Sequence, residues 1–333
     1  MKLWNLLSES KFFQFLDYIS IDKNKFKEKD TILVVGAPRS GTSWLMEILG
    51  NIPKVIYNFE PFNAIWYVKP QKLGFHNRVY LPPDKDWVEL ENYLKLIFNG
   101  GLVSFQYIYH FSPRYLMKIL LGNRVIVKSI RINRILPWLT KRFQLENIFF
   151  IIRHPCAVIS SQIKTGVYGY HNAYPPYKNI FPNREQVIEE ASNIKGIDKN
   201  FINKIKNYKT QEEILAAVWC IDNYIPISMP KPYPWDFIFY ENLVNNGENE
   251  ITRIFNKIGI KNIPQSAYLS LKKPSLLAPL DELKQVTKNS FQLSKWKKTL
   301  SEKQIENILK VVSDFGFDFY SKNAEPNYDK ISI

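Results

Sequence analysis

The chain has 333 residues, of which 45% are apolar and 15% aromatic, enough for a large core in one α/β domain or two smaller ones. Lysine and arginine number 45 against 31 acidic residues, and the resulting net charge of +14 permits nucleic acid, an acidic membrane surface or a polyanionic small molecule as partner. There is no apolar run of about eighteen residues, which excludes a membrane-spanning helix, and no recognised nucleic-acid motif accompanies the charge.

The first residues, MKLWNLLSESKFFQFLDYI, are interrupted by polar side chains from Ser8 to Lys11 and lack a small-residue cleavage site. They do not read as a signal peptide. Leu3, Trp4, Leu7 and Phe15 fall roughly at helical spacing, so residues 1–30 are expected to form a helical extension. Its mixed charges favour packing on the body over attachment to a membrane. Cys156 and Cys220 make neither a disulfide framework nor a metal cluster, and with no export signal they point to a reducing, cytoplasmic setting. His76, His110, His154 and His171 are scattered, so no metal site is expected.

Short β-branched and apolar runs alternate with helical stretches, the pattern of an α/β fold with a parallel sheet flanked by crossover helices. Strands are predicted at Thr31–Val35, Val55–Phe59, Arg124–Lys128, Ile148–Ile152 and Phe237–Tyr240. Helices are predicted at Thr42–Leu49, Ile135–Phe143, Ala157–Lys164 and Glu250–Ile258. Residues 31–325 read as one domain with insertions near 69–123 and 165–209, of which the second opens on the tyrosine-rich GVYGYHNAYPPYKNIF. Ligands bind at the carboxyl ends of strands in such sheets. The polar features of this chain follow directly after its strands.

After the first strand comes Gly36-Ala37-Pro38-Arg39-Ser40-Gly41-Thr42-Ser43, which fits the phosphate-loop pattern G-x-x-x-x-G-K-[ST] except that Thr42 stands in place of lysine. Strand, glycine-bounded loop and helix start surround an anion with backbone N–H groups, and Arg39 adds positive charge. An ordinary strand-to-helix turn is the plain alternative. No apolar strand ending in a magnesium-holding aspartate follows, which argues against triphosphate chemistry.

PRSGTSWL resembles the 5′-phosphosulfate loop of sulfotransferases that use 3′-phosphoadenosine 5′-phosphosulfate (PAPS), in a P-loop-like fold. In that family threonine is normal at the position of Thr42, the residue matching Arg39 stabilises charge at the transferred group, and no metal is needed. The resemblance implies that Pro38, Arg39, Ser40, Gly41, Thr42 and Ser43 bind the cofactor. NIFFIIRHPCAVISSQ is similar to the family's 3′-phosphate segment, which assigns Arg153 and Ser161 to that phosphate. A guanidinium grips phosphate oxygens bidentately and a hydroxyl adds a directional donor; taken alone, Arg153 reads equally well as a surface ion-pair residue. His154 shapes the turn and is read as structural.

VIYNFEPF places Glu60 after the second strand and is similar to the FEP element of carbohydrate sulfotransferases, where a glutamate deprotonates the acceptor. Its plain alternative is a solvated or ion-paired carboxylate. The cytosolic branch uses a histidine after the third strand. Here VIVKSIR carries Ile130 at that position, while Lys128 is retained, either to contact the sulfuryl group or as half of a salt bridge. Trp219 and Tyr240, in FIFYENLV, match downstream elements, near adenine or in the core. KNSFQLSKWKKTLS resembles the C-terminal nucleotide segment without its usual Arg-Lys-Gly, Lys288 standing as a partial substitute.

The expected activity is in-line sulfuryl transfer from PAPS to an acceptor hydroxyl, with a carbohydrate favoured; Tyr168, Tyr170 and Tyr174 are able to stack on sugar faces, or equally to pack in the core or a lid. Glu60, Arg39 and Lys128 are the expected catalytic residues. The rival readings are a nucleotide kinase or ATPase, and a non-catalytic nucleotide-binding module.

Overall fold

The computed structural model describes residues 26–64, 67–75, 78–100, 121–165, 181–275 and 289–331. Five parallel strands form a sheet: β1 Ile32–Gly36, β2 Val55–Phe59, β3 Arg124–Ser129, β4 Asn147–Ile152 and β5 Asp236–Phe239, in the order β2-β3-β1-β4-β5. All residues of β1 and β4 are buried, as expected for strands covered on both faces. Because side chains alternate across a strand, Leu33, Val35, Val127, Ile148 and Phe150 enter one core. Ile32, Val34, Ile126, Phe149 and Ile151 enter the other. Each such buried side chain contributes about 1.5–3 kcal/mol, so the two-sided burial of the strands is the main force holding the sheet.

The second core is closed by α1 Thr42–Leu49 and by Ile251, Ile254 and Phe255 of the helix Gly247–Lys257. The first is closed by α2 Val88–Phe98, α3 Leu136–Arg142, α4 Pro155–Thr165, α5 Gln211–Ser228 and the helix Glu302–Asp314. Strand β2 and helix α1 match their predicted bounds, and most other elements shift by a residue or two. β5 stops at Phe239, and Tyr240 opens the helix Tyr240–Asn245 instead of ending the strand. The helix expected from Glu250 begins at Gly247, where Glu248 and Glu250 in the first turn suit the positive end of its dipole. The longest helix among the described residues, α5, was not predicted. Its buried positions run continuously from Ile214 to Asn223, so it carries no amphipathic stripe for a periodicity reading to find. The first insertion holds α2, and the second holds the helices Arg184–Ser192 and Lys199–Ile205. The N-terminal extension, apart from Phe26 onward, and the tyrosines 168, 170 and 174 lie outside the described residues.

A buried ionic group ties α5 to the loop beyond β3. Asp222 accepts from Arg134 Nη2 at 2.8 Å and Nε at 3.2 Å, and pairs with Arg78 Nε at 3.1 Å. Arg134 Nη2 also reaches Glu190 at 2.8 Å. Asp222 and Arg134 are each 1% exposed, so removing the shared carboxylate leaves two buried guanidinium groups facing each other with only the more exposed Glu190 as counter-charge. Asp222→Ala is therefore expected to lower the unfolding free energy by about 3–5 kcal/mol in urea titration. A loss within about 0.5 kcal/mol would contradict this reading of the cluster.

Candidate functional site

The site is assembled at the carboxyl ends of β1, β3 and β4, which lie side by side. Gly36 pairs with Ile151 and Val35 with Ser129, so the segments leaving these strands emerge next to one another. A side chain at Gly36 would come within 2.5 Å of the Ile151 carbonyl oxygen and 2.7 Å of Ser40 Oγ, which explains the glycine. The loop then turns through left-handed backbone at Arg39 (φ 71°) and Gly41 (φ 102°). Gly41 caps α1 without any side-chain hydrogen bond, and a Cβ there would strike the Tyr240 ring at 2.5 Å. The N–H groups of Thr42, Ser43 and Trp44 belong to a first helical turn, where no intrahelical carbonyl faces them. Ser40 Oγ is fully buried with no hydrogen-bond partner. Pro38 and Thr42 are buried, while Arg39, Gly41 and Ser43 are partly exposed. Orphan N–H groups, an unpartnered hydroxyl and a helix dipole make this loop an anion cradle.

Arg153 follows β4 and reaches the same loop. Its guanidinium lies over the Tyr240 ring, 4.0 Å from the centroid, and Nη1 donates to the Arg39 carbonyl oxygen at 3.2 Å. Arg153 Nε is buried and without a hydrogen-bond partner. Ser161, two turns along α4, accepts from Arg39 Nε at 3.0 Å. The structure thus brings Arg39, Arg153 and Ser161 together. The Arg39 guanidinium stands on the side of the loop where Arg153 and Ser161 lie. Gln162, which sequence reasoning passed over, also touches the loop: its Nε2 is 3.5 Å from the Pro38 carbonyl and its Oε1 is buried without a partner.

Tyr240 is 5% exposed and packed between Gly41, Trp44 and Arg153; its hydroxyl accepts from Gln292 Nε2 at 3.0 Å. It forms a floor beneath the arginine. Trp219 is a core residue, edge-on to Phe317 and Tyr320. Lys288 lies outside the described residues, although the neighbouring helices Asn289–Ser294 and Trp296–Thr299 pack near Tyr240 and α4.

Glu60 occupies the opposite side of the rim. The residue continues the β2–β3 ladder by one step, its N–H donating to the Lys128 carbonyl at 2.8 Å, then turns through φ 51°. Its side chain is fully buried and ion-paired, so of the plain alternatives pairing holds and solvation does not. Lys128 Nζ donates to Oε1 at 2.6 Å and Arg131 Nη1 to Oε2 at 3.1 Å, while the Ile130 N–H donates to Oε1 at 3.1 Å. Left-handed backbone at a non-glycine residue is sterically costly and persists where surrounding bonds impose it. Burial pushes the Lys128 ammonium pKa down, an effect that the Glu60 charge opposes. The VIVKSIR motif contained Arg131, three places after Lys128 and just beyond the end of β3; only its position after a strand marked it out.

His154 faces away from the phosphate loop. Its ring stacks on Trp296 at 4.6 Å, Nε2 lies 2.9 Å from the Ser321 carbonyl, and Nδ1 accepts the Cys156 N–H at 3.1 Å. These contacts require the neutral Nε2–H tautomer. Burial pushes its pKa down to about 4. The unfolded chain therefore binds the extra proton first, and the stability of the fold declines as pH falls from about 6.5 towards 4. In long-range ¹⁵N NMR, His154 is expected to stay neutral with the proton on Nε2 down to about pH 4. Ordinary titration near pH 6.5 would remove its structural role.

The chain is similar to several solved structures. They include the sulfotransferase domain from the Synechococcus PCC 7002 olefin synthase, with 16% identity over 87% of this chain and 96% of that one, TM-score 0.45. The sulfotransferase domain from the curacin biosynthetic pathway shows 14% identity, covering 86% and 97%, TM-score 0.43. Retinol dehydratase in complex with androsterone and inactive cofactor PAP shows 15% identity, covering 91% and 85%, TM-score 0.37. No family model and no curated protein matches the chain.

Proposed function

We propose that this protein transfers a sulfuryl group from PAPS to an acceptor hydroxyl. The observation that carries this reading is the convergence of two anion positions on one loop: the cradle at Ser40–Ser43, and Arg153 with Ser161 beside it. A nucleotide with phosphates at both ends of its ribose needs two such positions, and the residues present fit it. Loop N–H groups and Ser40 hold the 5′ end, Arg153 and Ser161 the 3′-phosphate, and Arg39 stands between them. The bound donor supplies a sulfuryl group on a phosphate leaving group.

Around the reacting centre, the acceptor oxygen forms its bond to sulfur as the sulfur–oxygen bond to phosphate breaks, releasing adenosine 3′,5′-bisphosphate. Lys128 is the cation placed to offset charge developing at the transferred group. Glu60 is the proposed proton acceptor. Its contact with Lys128 couples the two roles. Tyr240 contributes by holding Arg153 rather than through its hydroxyl, which is engaged by Gln292. We further propose a carbohydrate acceptor, on the strength of the Phe59-Glu60-Pro61 element, and a cytoplasmic setting, in keeping with two free buried thiols.

In thermal-shift titration, adenosine 3′,5′-bisphosphate is expected to stabilise the protein without magnesium; stabilisation by Mg-ATP alone would favour the kinase reading. Arg153→Ala is expected to weaken that binding roughly 10- to 100-fold, the loss typical of hydrogen bonds to a charged group. Glu60→Gln is expected to leave nucleotide affinity within a few-fold and to slow turnover by about 10²–10⁴. Turnover is read as the mass gain of one SO₃ across an acceptor panel with saccharides as one class. Full activity in the glutamine variant would remove Glu60 as the proton acceptor. Nucleotide binding without any sulfated product would favour the binding-module reading.

A further inference from the structure

Behind Arg153 lies a buried polar group that the proposed chemistry does not use. Glu241 follows Tyr240 at the start of the helix after β5 and is 1% exposed. Its Oε1 accepts the backbone N–H of His154 at 2.8 Å, and its Oε2 accepts the Tyr320 hydroxyl at 3.2 Å. His154 adjoins Arg153 in the turn between β4 and α4, and Tyr240 adjoins Glu241. One dipeptide therefore holds the other at two points: the Tyr240 ring lies under the Arg153 guanidinium, and the Glu241 carboxylate holds the next peptide N–H.

The rest of the turn is fixed from the same side. The His154 ring is pinned by Trp296, by the Ser321 carbonyl and by the Cys156 N–H. Since a hydrogen bond to an ionised or partly ionised carboxylate is among the stronger ones in a buried setting, Glu241 is the main polar anchor of this turn.

We propose that Glu241 is a positioning residue for 3′-phosphate recognition: by holding the His154 N–H it sets the turn that keeps Arg153 on Tyr240 and aimed at the phosphate. This rests on the nucleotide reading above. A residue that merely supported the fold would affect all nucleotides alike, whereas a residue acting through Arg153 changes the preference for a 3′-phosphate.

The groups facing Glu241 also predict a proton linkage. They are Arg153 and His154 from the turn after β4, and Tyr320 and Tyr328 from the C-terminal segment. Burial pushes the Glu241 carboxyl up to about 7, whereas it pushes His154 down to about 4 and both Tyr320 and Tyr328 up, further from neutrality. Glu241 is thus the member of this group that titrates near neutral pH. A phosphate arriving at Arg153 adds negative charge nearby and favours the protonated carboxyl, so binding takes up protons and tightens as pH falls through 7.

The experiment is calorimetric titration of the full chain with adenosine 3′,5′-bisphosphate and with adenosine 5′-monophosphate, in two buffers of different ionisation enthalpy. The affinity ratio of the two nucleotides is the readout. In Glu241→Ala it is expected to fall about tenfold, with the 5′-monophosphate bound as before. Tyr320→Phe is expected to lower it a few-fold. Glu241→Gln, whose amide oxygen still accepts the His154 N–H, is expected to restore the ratio and abolish the difference in proton uptake. If the wild-type protein binds neither nucleotide, or both equally, the nucleotide reading fails and this inference fails with it. If the wild type prefers the 3′-phosphate but the ratio is unchanged in Glu241→Ala and Tyr320→Phe, the inference alone is overturned. Should Glu241→Ala not fold, Tyr320→Phe and Glu241→Gln decide: an unchanged ratio in the first with unchanged proton uptake in the second overturns it.

Discussion

Parallel pairing of β1 with β3 and β4 is the constraint on which the site depends. Neighbouring strands lie about 4.8 Å apart, and their register sets Gly36 beside Ile151 and Val35 beside Ser129. Three chain segments leave the sheet within one or two strand spacings of each other. Arg39, Lys128 and Arg153 are far apart in sequence, yet arrive at one rim because the strands beneath them end together. The sheet is held by alternating burial into two cores, so the chemistry at the rim rests on apolar packing below it.

Two buried carboxylates divide the rim between them. Glu60, on the β2–β3 side, meets Lys128, Arg131 and a peptide N–H. Glu241, behind β4, meets a peptide N–H and a tyrosine hydroxyl. The first is ion-paired with two cations; the second anchors a turn. The same residue type serves different ends because its neighbours differ, and those neighbours come from strands and loops distant in the chain.

Much of the site was legible in local sequence. The phosphate loop announces itself because a tight strand-to-helix turn needs glycine where a Cβ would strike backbone or ring, and Gly36 and Gly41 meet that need. β1 and β4 were visible as short unbroken apolar runs. The helix α5 was not, since burial on nearly all sides erases the periodicity that marks a surface helix. Capping residues offered a signal that the periodicity did not. Ser301 and Gln304 bond reciprocally at the start of the helix Glu302–Asp314, a pattern written within four residues of sequence.

By itself the sequence marked the glycine-bounded loop and the strand runs, and through a resemblance in short local motifs it offered Arg39, Lys128, Arg153, Ser161 and Glu60 as candidates. Tertiary structure decided what these residues meet: that Glu60 is enclosed by Lys128 and Arg131, that Arg39 bonds Ser161, and that Arg153 rests on Tyr240 with Glu241 behind it. These contacts join residues from 68 to 122 positions apart. Their geometry depends on strand order and packing between elements, and neither is encoded in the spacing of any single segment.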